Sequence, residues 1–279
     1  MSEPATHGIA DDVDALVIRA QNGDPDALEQ VVLGVRERVY RLALRMTARP
    51  ADAEDASQEI LIRVITRLST YRGEAAFTTW VHRIAVNHLM DRSKSCVERL
   101  EITFDGFAAD LLDGLAAEPS TDPDAPILER EVQLACTHAV LTCLDREHRV
   151  AYILGEIFEL DSDEGGYICE VPPATYRKRL SRARRRVRTF LAESCGLVSA
   201  SAACRCSKRV DVAVRLGRIE PQRLEFTDRT VAANDDMVRL HDAAGLMRSL
   251  PPAKLPASTA DMVARLISTS AAAGAPSVP

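Results

Sequence analysis

Residues 161–192 read DSDEGGYICEVPPATYRKRLSRARRRVRTFLA, and this stretch decides how the rest of the chain is understood. Asp161 or Ser162 is a helix-capping residue for a short helix over 164–171, and Pro172-Pro173 opens a second one. From Ala174 to Ala192 there are eight basic residues and no acidic one. Tyr176, Leu180, Ala183 and Val187 recur at i, i+4, i+7 and i+11 and form the side that turns inward. Arg177, Lys178, Ser181 and Arg182 share the outward side, with Thr175, Arg179, Arg184 and Arg185 beside them. A short helix, a turn and an Arg-dense helix make a helix-turn-helix pattern, whose second helix enters the major groove of DNA. At this level a solvated basic helix or an RNA contact is the competing reading.

The whole-chain charge conceals this segment. The 279 residues carry 35 Lys+Arg against 41 Asp+Glu, a formal net charge of -6. The basic block is offset by residues 98–126, where eight acidic side chains face Arg99 alone. A dense basic segment attracts phosphate even on an anionic molecule. No run of about 18 apolar residues predicts a membrane span. The acidic N-terminus lacks the basic-then-apolar pattern of an export signal.

Upstream, residues 1–10 read as a loose tail. A helix follows through Val13, Leu16, Val17 and Ala20, ending at Asn22-Gly23. Asp24-Pro25 starts the next, with Leu28, Val31, Val32, Val35, Val39, Leu42 and Met46 as its buried stripe. Asp52 is placed as the cap of a third helix bearing Ile60, Leu61, Val64, Ile65 and Leu68. A fourth, FTTWVHRIAVNHLMDR at 77–92, interleaves an apolar face with Trp80, Arg83, Asn87 and Arg92. An aromatic beside Asn and Arg offers unpaired bases a stacking surface with edge and phosphate donors; a core tryptophan is the alternative. Residues 98–126, acidic and with three prolines near their end, read as an extended linker. Long helices through Val132–Leu144 and Val150–Leu160 precede the helix-turn-helix. Short helical stretches are expected at 208–218, 235–250 and 259–268. No segment alternates with period two for long, so the fold class is all-α.

The order of these features carries a resemblance. Asp52-Ala-Glu54-Asp55-Ala-Ser-Gln58-Glu59, then Tyr71-Arg72-Gly73, then Phe77-x-x-Trp80-x-x-Arg83-Ile84-Ala85-x-Asn87, an acidic linker and an Arg-rich helix-turn-helix resemble the extracytoplasmic-function (group 4) sigma factors of bacterial RNA polymerase. The resemblance covers about residues 12–192 and implies a cytoplasmic transcription-initiation subunit without catalytic residues. It implies two helical sigma domains: region 2 over 11–97, and region 4 over 127–193, joined by the flexible linker 98–126. A small helical C-terminal extension, 194–279, is then regulatory. Tyr71, Arg72, Trp80, Arg83, Asn87 and Arg92 would read the minus-ten element as single strand, and the basic helix the minus-thirty-five element as duplex. Asp52, Glu54, Asp55, Gln58 and Glu59 would dock on the clamp helices of the largest core subunit, with the second-largest subunit also in contact. An anti-sigma protein or the chain's own extension would regulate it, in a stress or metal/redox response. Two features depart from the family: Leu144-Asp145 stands where a Leu-Pro pair is usual, and Gly165-Gly166 weakens the first helix of the motif by about 1 kcal/mol per Gly relative to Ala. A stand-alone helix-turn-helix regulator, or a thiol- or metal-dependent enzyme, is the alternative.

Seven cysteines in a chain without an export signal argue for reduced thiols or metal ligands. Cys136 and Cys143 sit among apolar neighbours and read as core. Cys96 and Cys169 receive no role. Cys195-x8-Cys204-x-Cys206, flanked by Arg205, Lys208 and Arg209, is the candidate metal or redox-sensing cluster, with a redox-labile disulfide without metal, or inert cysteines, as the alternatives. Zinc there would need a fourth ligand, His241 or Cys169. The segment Leu240–Leu250 reads as an amphipathic helix, either docking on the sigma domains or packing in a purely structural role.

Overall fold

In this computed structural model the described residues are 7–94, 96–116 and 118–227. They contain no strand, only two isolated bridges, and the all-α class holds. They divide into two compact units: 7–43 with 53–92, and 44–52 with 93–227.

The first unit is built on α1 (His7–Gln21), α2 (Pro25–Thr47), α3 (Pro50–Arg67) and α4 (Phe77–Asp91), the ends of α2 and α3 that face each other in sequence belonging to the second unit. Asp24 starts α2 as its sequence predicts, accepting hydrogen bonds from the amides of Asp26 (3.0 Å) and Ala27 (3.1 Å). Val31, Val32, Val35, Val39 and Leu42 are buried along it. The next helix begins two residues before the expected Asp52 cap, because Pro50 takes the first helical position and Asp52 lies inside the first turn. Ile60, Leu61, Val64 and Leu68 fill the facing core. The turn after α3 is pinned by Gln21, whose Nε2 donates to the carbonyls of Leu68 and Tyr71, both at 2.9 Å.

The second unit contains α5 (Cys96–Arg99), α6 (Phe104–Leu112), α7 (Ala125–Thr142), α8 (Arg146–Tyr152), α9 (Ser162–Ile168), α10 (Pro173–Ser194) and α11 (Cys206–Arg215). Asp145 caps α8 by accepting from the His148 amide at 3.0 Å. The last turn of this helix continues as a π-turn over Ile153–Ile157. The segment expected to be an extended linker instead holds α6, capped by Thr103. Phe104 and Phe107 lie against Phe190 of α10 with ring centroids 5.3 and 5.6 Å apart. Burying these rings outweighs the acidic composition on which the linker reading rested. Glu98, counted with the same acidic run, is buried between Arg146 and Arg149, at 2.9 and 2.7 Å.

Each unit buries a histidine. Burial pushes His82 on α4 down to about 3. Burial also lowers His138 on α7 to about 4, with Nδ1 2.8 Å from the Leu134 carbonyl. A depressed folded pKa means that the unfolded chain takes up the proton first. The stabilisation from each neutral ring is therefore complete above about pH 6.5 and is lost as pH falls towards the folded value. Between pH 7 and pH 5 each histidine is expected to cost its unit about 2 kcal/mol. Urea unfolding at the two pH values checks this, and pH-independent midpoints would refute it.

Candidate nucleic-acid interface

In the second unit, α9, a short turn and α10 form the helix-turn-helix. A capping box fixes the start of α9: Asp161 accepts from the amides of Asp163 and Glu164, both at 2.9 Å, and Glu164 returns a bond to the Asp161 amide at 3.2 Å. The two glycines that weaken α9 are demanded by packing. A Cβ on Gly165 would lie 2.2 Å from the Tyr176 ring, and one on Gly166 would meet the Val171 carbonyl at 2.9 Å. Tyr176 is fully buried, and its hydroxyl donates to the Ala151 carbonyl at 3.2 Å.

The sidedness of α10 agrees with its periodicity. Tyr176, Leu180, Ala183 and Val187 are buried, whereas Arg177, Lys178, Ser181, Arg182 and Arg185 are exposed and Thr175 is half-buried. Two members of the basic set have protein partners that the sequence did not reveal. Arg179 pairs with Glu147 at 2.7 Å, and the Arg184 Nε donates to Glu156 at 2.5 Å. These pairs fasten α10 to α8 and its π-turn, while the exposed arginines keep their five-donor forks turned outward.

In the first unit, Trp80, Arg83 and Asn87 occupy i, i+3 and i+7 of α4 and so share one face. Trp80 is half-buried and stacks at 27° on Phe77 with centroids 5.7 Å apart; Tyr71 completes the cluster at 5.5 Å from Trp80. The tryptophan thus belongs to an aromatic cluster and still shows part of its ring. Arg72 and Asn87 are exposed, and Arg83 is half-buried. Arg92 approaches Asp55 of α3 at 4.0 Å. On α3, Asp55 and Glu59 are exposed and Asp52, Glu54 and Gln58 half-buried.

The described part of the C-terminal extension packs on its own unit. Val210, Ala213 and Ile219 form a core with Leu128 and Val132 of α7. Buried Glu131 accepts from the amides of Glu225 (2.7 Å) and Phe226 (3.0 Å). Arg209, also buried, donates to the carbonyls of Asp110, in the last turn of α6, and Asp113, just beyond it, each at 2.9 Å. Arg218 makes a two-pronged pair with the Asp110 carboxylate and holds it below the usual carboxylate range. The extension therefore grips the acidic segment.

Cys136, read as core, lies near the C-terminal cysteines. Burial pushes its thiol well up, and Cys206, Cys195 and Cys204 add to the effect. Cys143 is buried. Among the described residues no group of three or more His, Cys, Asp or Glu side chains is arranged to hold a metal ion. His241 and the 240–250 helix expectation, like those at 235–250 and 259–268, lie outside the described residues. Cys169 closes α9, its thiol pushed by burial up to about 12.

One unit carries a helix-turn-helix with an outward basic face and the other an aromatic–basic stripe, features in keeping with a DNA-directed transcription protein. The Sigma-70 region 2 family matches residues 32–95. The chain is 30% identical over 174 residues to the RNA polymerase sigma-H factor of Pseudomonas aeruginosa, covering 61% of this chain and 88% of that protein. It is 30% identical over 177 residues to the ECF RNA polymerase sigma-E factor of Escherichia coli K12, with 61% and 88% covered. A third relative, the ECF RNA polymerase sigma factor SigE of Mycolicibacterium smegmatis, is 32% identical over 179 residues, with 61% and 65% covered. The chain belongs to the extracytoplasmic-function family of RNA polymerase sigma factors. It is an alternative sigma factor that acts with core RNA polymerase in directing transcription, and it is not an enzyme. No described helix is long and apolar enough to cross a membrane.

Proposed function

We propose that residues 11–97 act as region 2 and residues 127–193 as region 4 of a cytoplasmic sigma factor. Trp80, Arg83 and Asn87, with Tyr71, Arg72 and Arg92 nearby, receive the opened minus-ten strand. Asp52, Glu54, Asp55, Gln58 and Glu59 give the polymerase an acidic helix face to dock on. Arg177, Lys178, Ser181, Arg182 and Arg185 enter the minus-thirty-five groove, with Thr175 at its edge. Arg179 and Arg184, tied to Glu147 and Glu156, position the helix. The outward basic face of α10, opposite a fully buried one, is the observation that carries this reading.

The extension regulates by holding the acidic segment through Arg209 and Arg218, so that its release accompanies engagement of the polymerase. Run-off transcription with bacterial core polymerase on a library of upstream regions tests both parts. Arg177→Ala or Arg182→Ala is expected to reduce minus-thirty-five-dependent initiation by about 10-fold or more, one good base contact contributing about 1–3 kcal/mol. Undiminished selectivity in both would remove the groove assignment. Asp110→Ala with Arg218→Ala is expected to raise initiation by the full chain, and unchanged output would remove the regulatory role of the grip.

A further inference from the structure

Outside the DNA-facing surfaces, the least explained chemistry is at the root of the extension, where Cys195 ends α10 and Cys204 precedes α11. The backbone brings the two together. They are paired across a parallel bridge, with the Gly196 amide donating to the Cys204 carbonyl at 3.1 Å. Neighbouring paired backbones stand about 4.7–4.9 Å apart, inside the roughly 4.4–6.8 Å Cα separation that a disulfide spans. The close approach is built into the sequence. A Cβ on Gly196 would meet the Cys204 carbonyl at 2.3 Å and the Arg205 guanidinium at 1.9 Å, so only glycine lets the 204–205 segment lie this close to α10. Arg205 donates to the Cys204 carbonyl at 2.9 Å and to that of Ala200 at 2.8 Å, closing the loop on itself. Both thiols are free, Cys204 buried and Cys195 half-exposed.

We infer that Cys195 and Cys204 form a reversible thiol–disulfide pair whose oxidant is a hydroperoxide. Cys195, the more open sulfur, meets the oxidant first. Its thiolate attacks one peroxide oxygen, the O–O bond breaks, and a sulfenic acid and one water result. The Cys204 sulfur then attacks the sulfenic sulfur, the S–O bond breaks, and the second water leaves. In balance, two thiols and one hydrogen peroxide give one disulfide and two waters. The two sulfurs are oxidised and the peroxide oxygens reduced. Burial holds Cys204 in its thiol form, as does the charge of Cys195, which suits the resolving role rather than the attacking one. The nearby thiol of Cys206 is pushed by burial up to about 12.

Peroxide treatment of the full chain, followed by alkylation and non-reducing tryptic digestion, tests the pair directly. Cys195 and Cys204 fall in one tryptic peptide, 189–205, and Cys206 in the next, 206–208. The expected result is a 189–205 peptide lighter by two hydrogens, loss of about two alkylatable thiols per chain, and full reversal by a dithiol. Cys204→Ser is expected to abolish this and leave a sulfenic acid on Cys195 that a dimedone probe captures. Cys143→Ser and Cys169→Ser are expected to behave as the parent. Three results would overturn the assignment: a 189–205 peptide that stays reduced, a cross-link between 189–205 and 206–208, or sulfurs that emerge from purification shielded by about one equivalent of a thiophilic metal.

Discussion

Arg149→Met is expected to lower the stability of the second unit by about 3–5 kcal/mol, the range typical of removing one partner from a buried ion pair. Arg149 is 3% exposed. Its guanidinium donates to the carbonyls of Leu141 (3.0 Å), Thr142 (3.3 Å) and Leu144 (3.0 Å), which end α7 and begin the turn to α8, and to Glu98 Oε1 at 2.7 Å. Methionine keeps most of the volume and no donor. The terminal carbonyls of α7 then lose their partner in a place water does not reach. Glu98 retains Arg146, which holds it through two hydrogen bonds at 2.9 and 3.0 Å, so the carboxylate is not left entirely uncompensated. Glu98→Gln instead leaves the buried Arg149 guanidinium without its carboxylate, and is expected to cost at least as much as Arg149→Met. Urea unfolding followed by far-ultraviolet circular dichroism measures both. A loss below about 1 kcal/mol for Arg149→Met would show that the network contributes no more than a surface pair.

That network also marks where reading the chain residue by residue stops. Periodicity and capping are local, and the helices resting on them stand as read for α2 behind Asp24 and for α10 with Tyr176, Leu180, Ala183 and Val187 inward, while α9 starts directly behind its Asp161 cap and ends at Ile168 instead of running over 164–171. Pairings across tens of residues leave no such trace. Glu98 and Arg149 are 51 positions apart, and nothing in the acidic run singled out Glu98 as its buried member. The same holds for Glu147 and Glu156, which engage two arginines of α10 that composition assigned to DNA. A signal for α6 was present. Phe104, Phe107 and Leu111 recur at i, i+3 and i+7, but eight acidic residues around them led to an extended linker. Cys136 was read from its own helix neighbours, and its nearness to Cys206 depends on α11 lying along α7. On the surfaces proposed to face DNA, the exposure of Arg177, Arg182 and Asn87 was legible, because helical spacing sets them opposite an apolar stripe. What was not legible was which of the basic side chains the protein keeps for itself.

Gly165→Ala joins packing to function most directly, and its expected cost is about 3 kcal/mol of stability in the second unit. Helix propensity alone predicts the opposite sign, a gain of about 1 kcal/mol for α9. Geometry decides against it. The new methyl would lie 2.2 Å from Cζ of Tyr176 and 2.5 Å from both Cε atoms. The ring cannot step aside cheaply, since it is fully buried and its hydroxyl is held by the Ala151 carbonyl. Relief requires either expelling Tyr176 or moving α9 away from α10, and the second course alters the angle at which the basic helix is presented. Minus-thirty-five-dependent initiation is accordingly expected to fall about 10-fold or more, one order of magnitude corresponding to the loss of a single good base contact. Initiation from a promoter that lacks this element should change much less, because α4 belongs to the other unit. A smaller ring-site residue supplies the control. In a Gly165→Ala, Tyr176→Leu double variant the steric conflict is removed, and stability is expected to recover part of the loss relative to Tyr176→Leu alone, a coupling that a double-mutant cycle reads out. Wild-type stability and selectivity in Gly165→Ala would show that the α9–α10 contact yields without cost and that the glycine is not what sets the motif's angle.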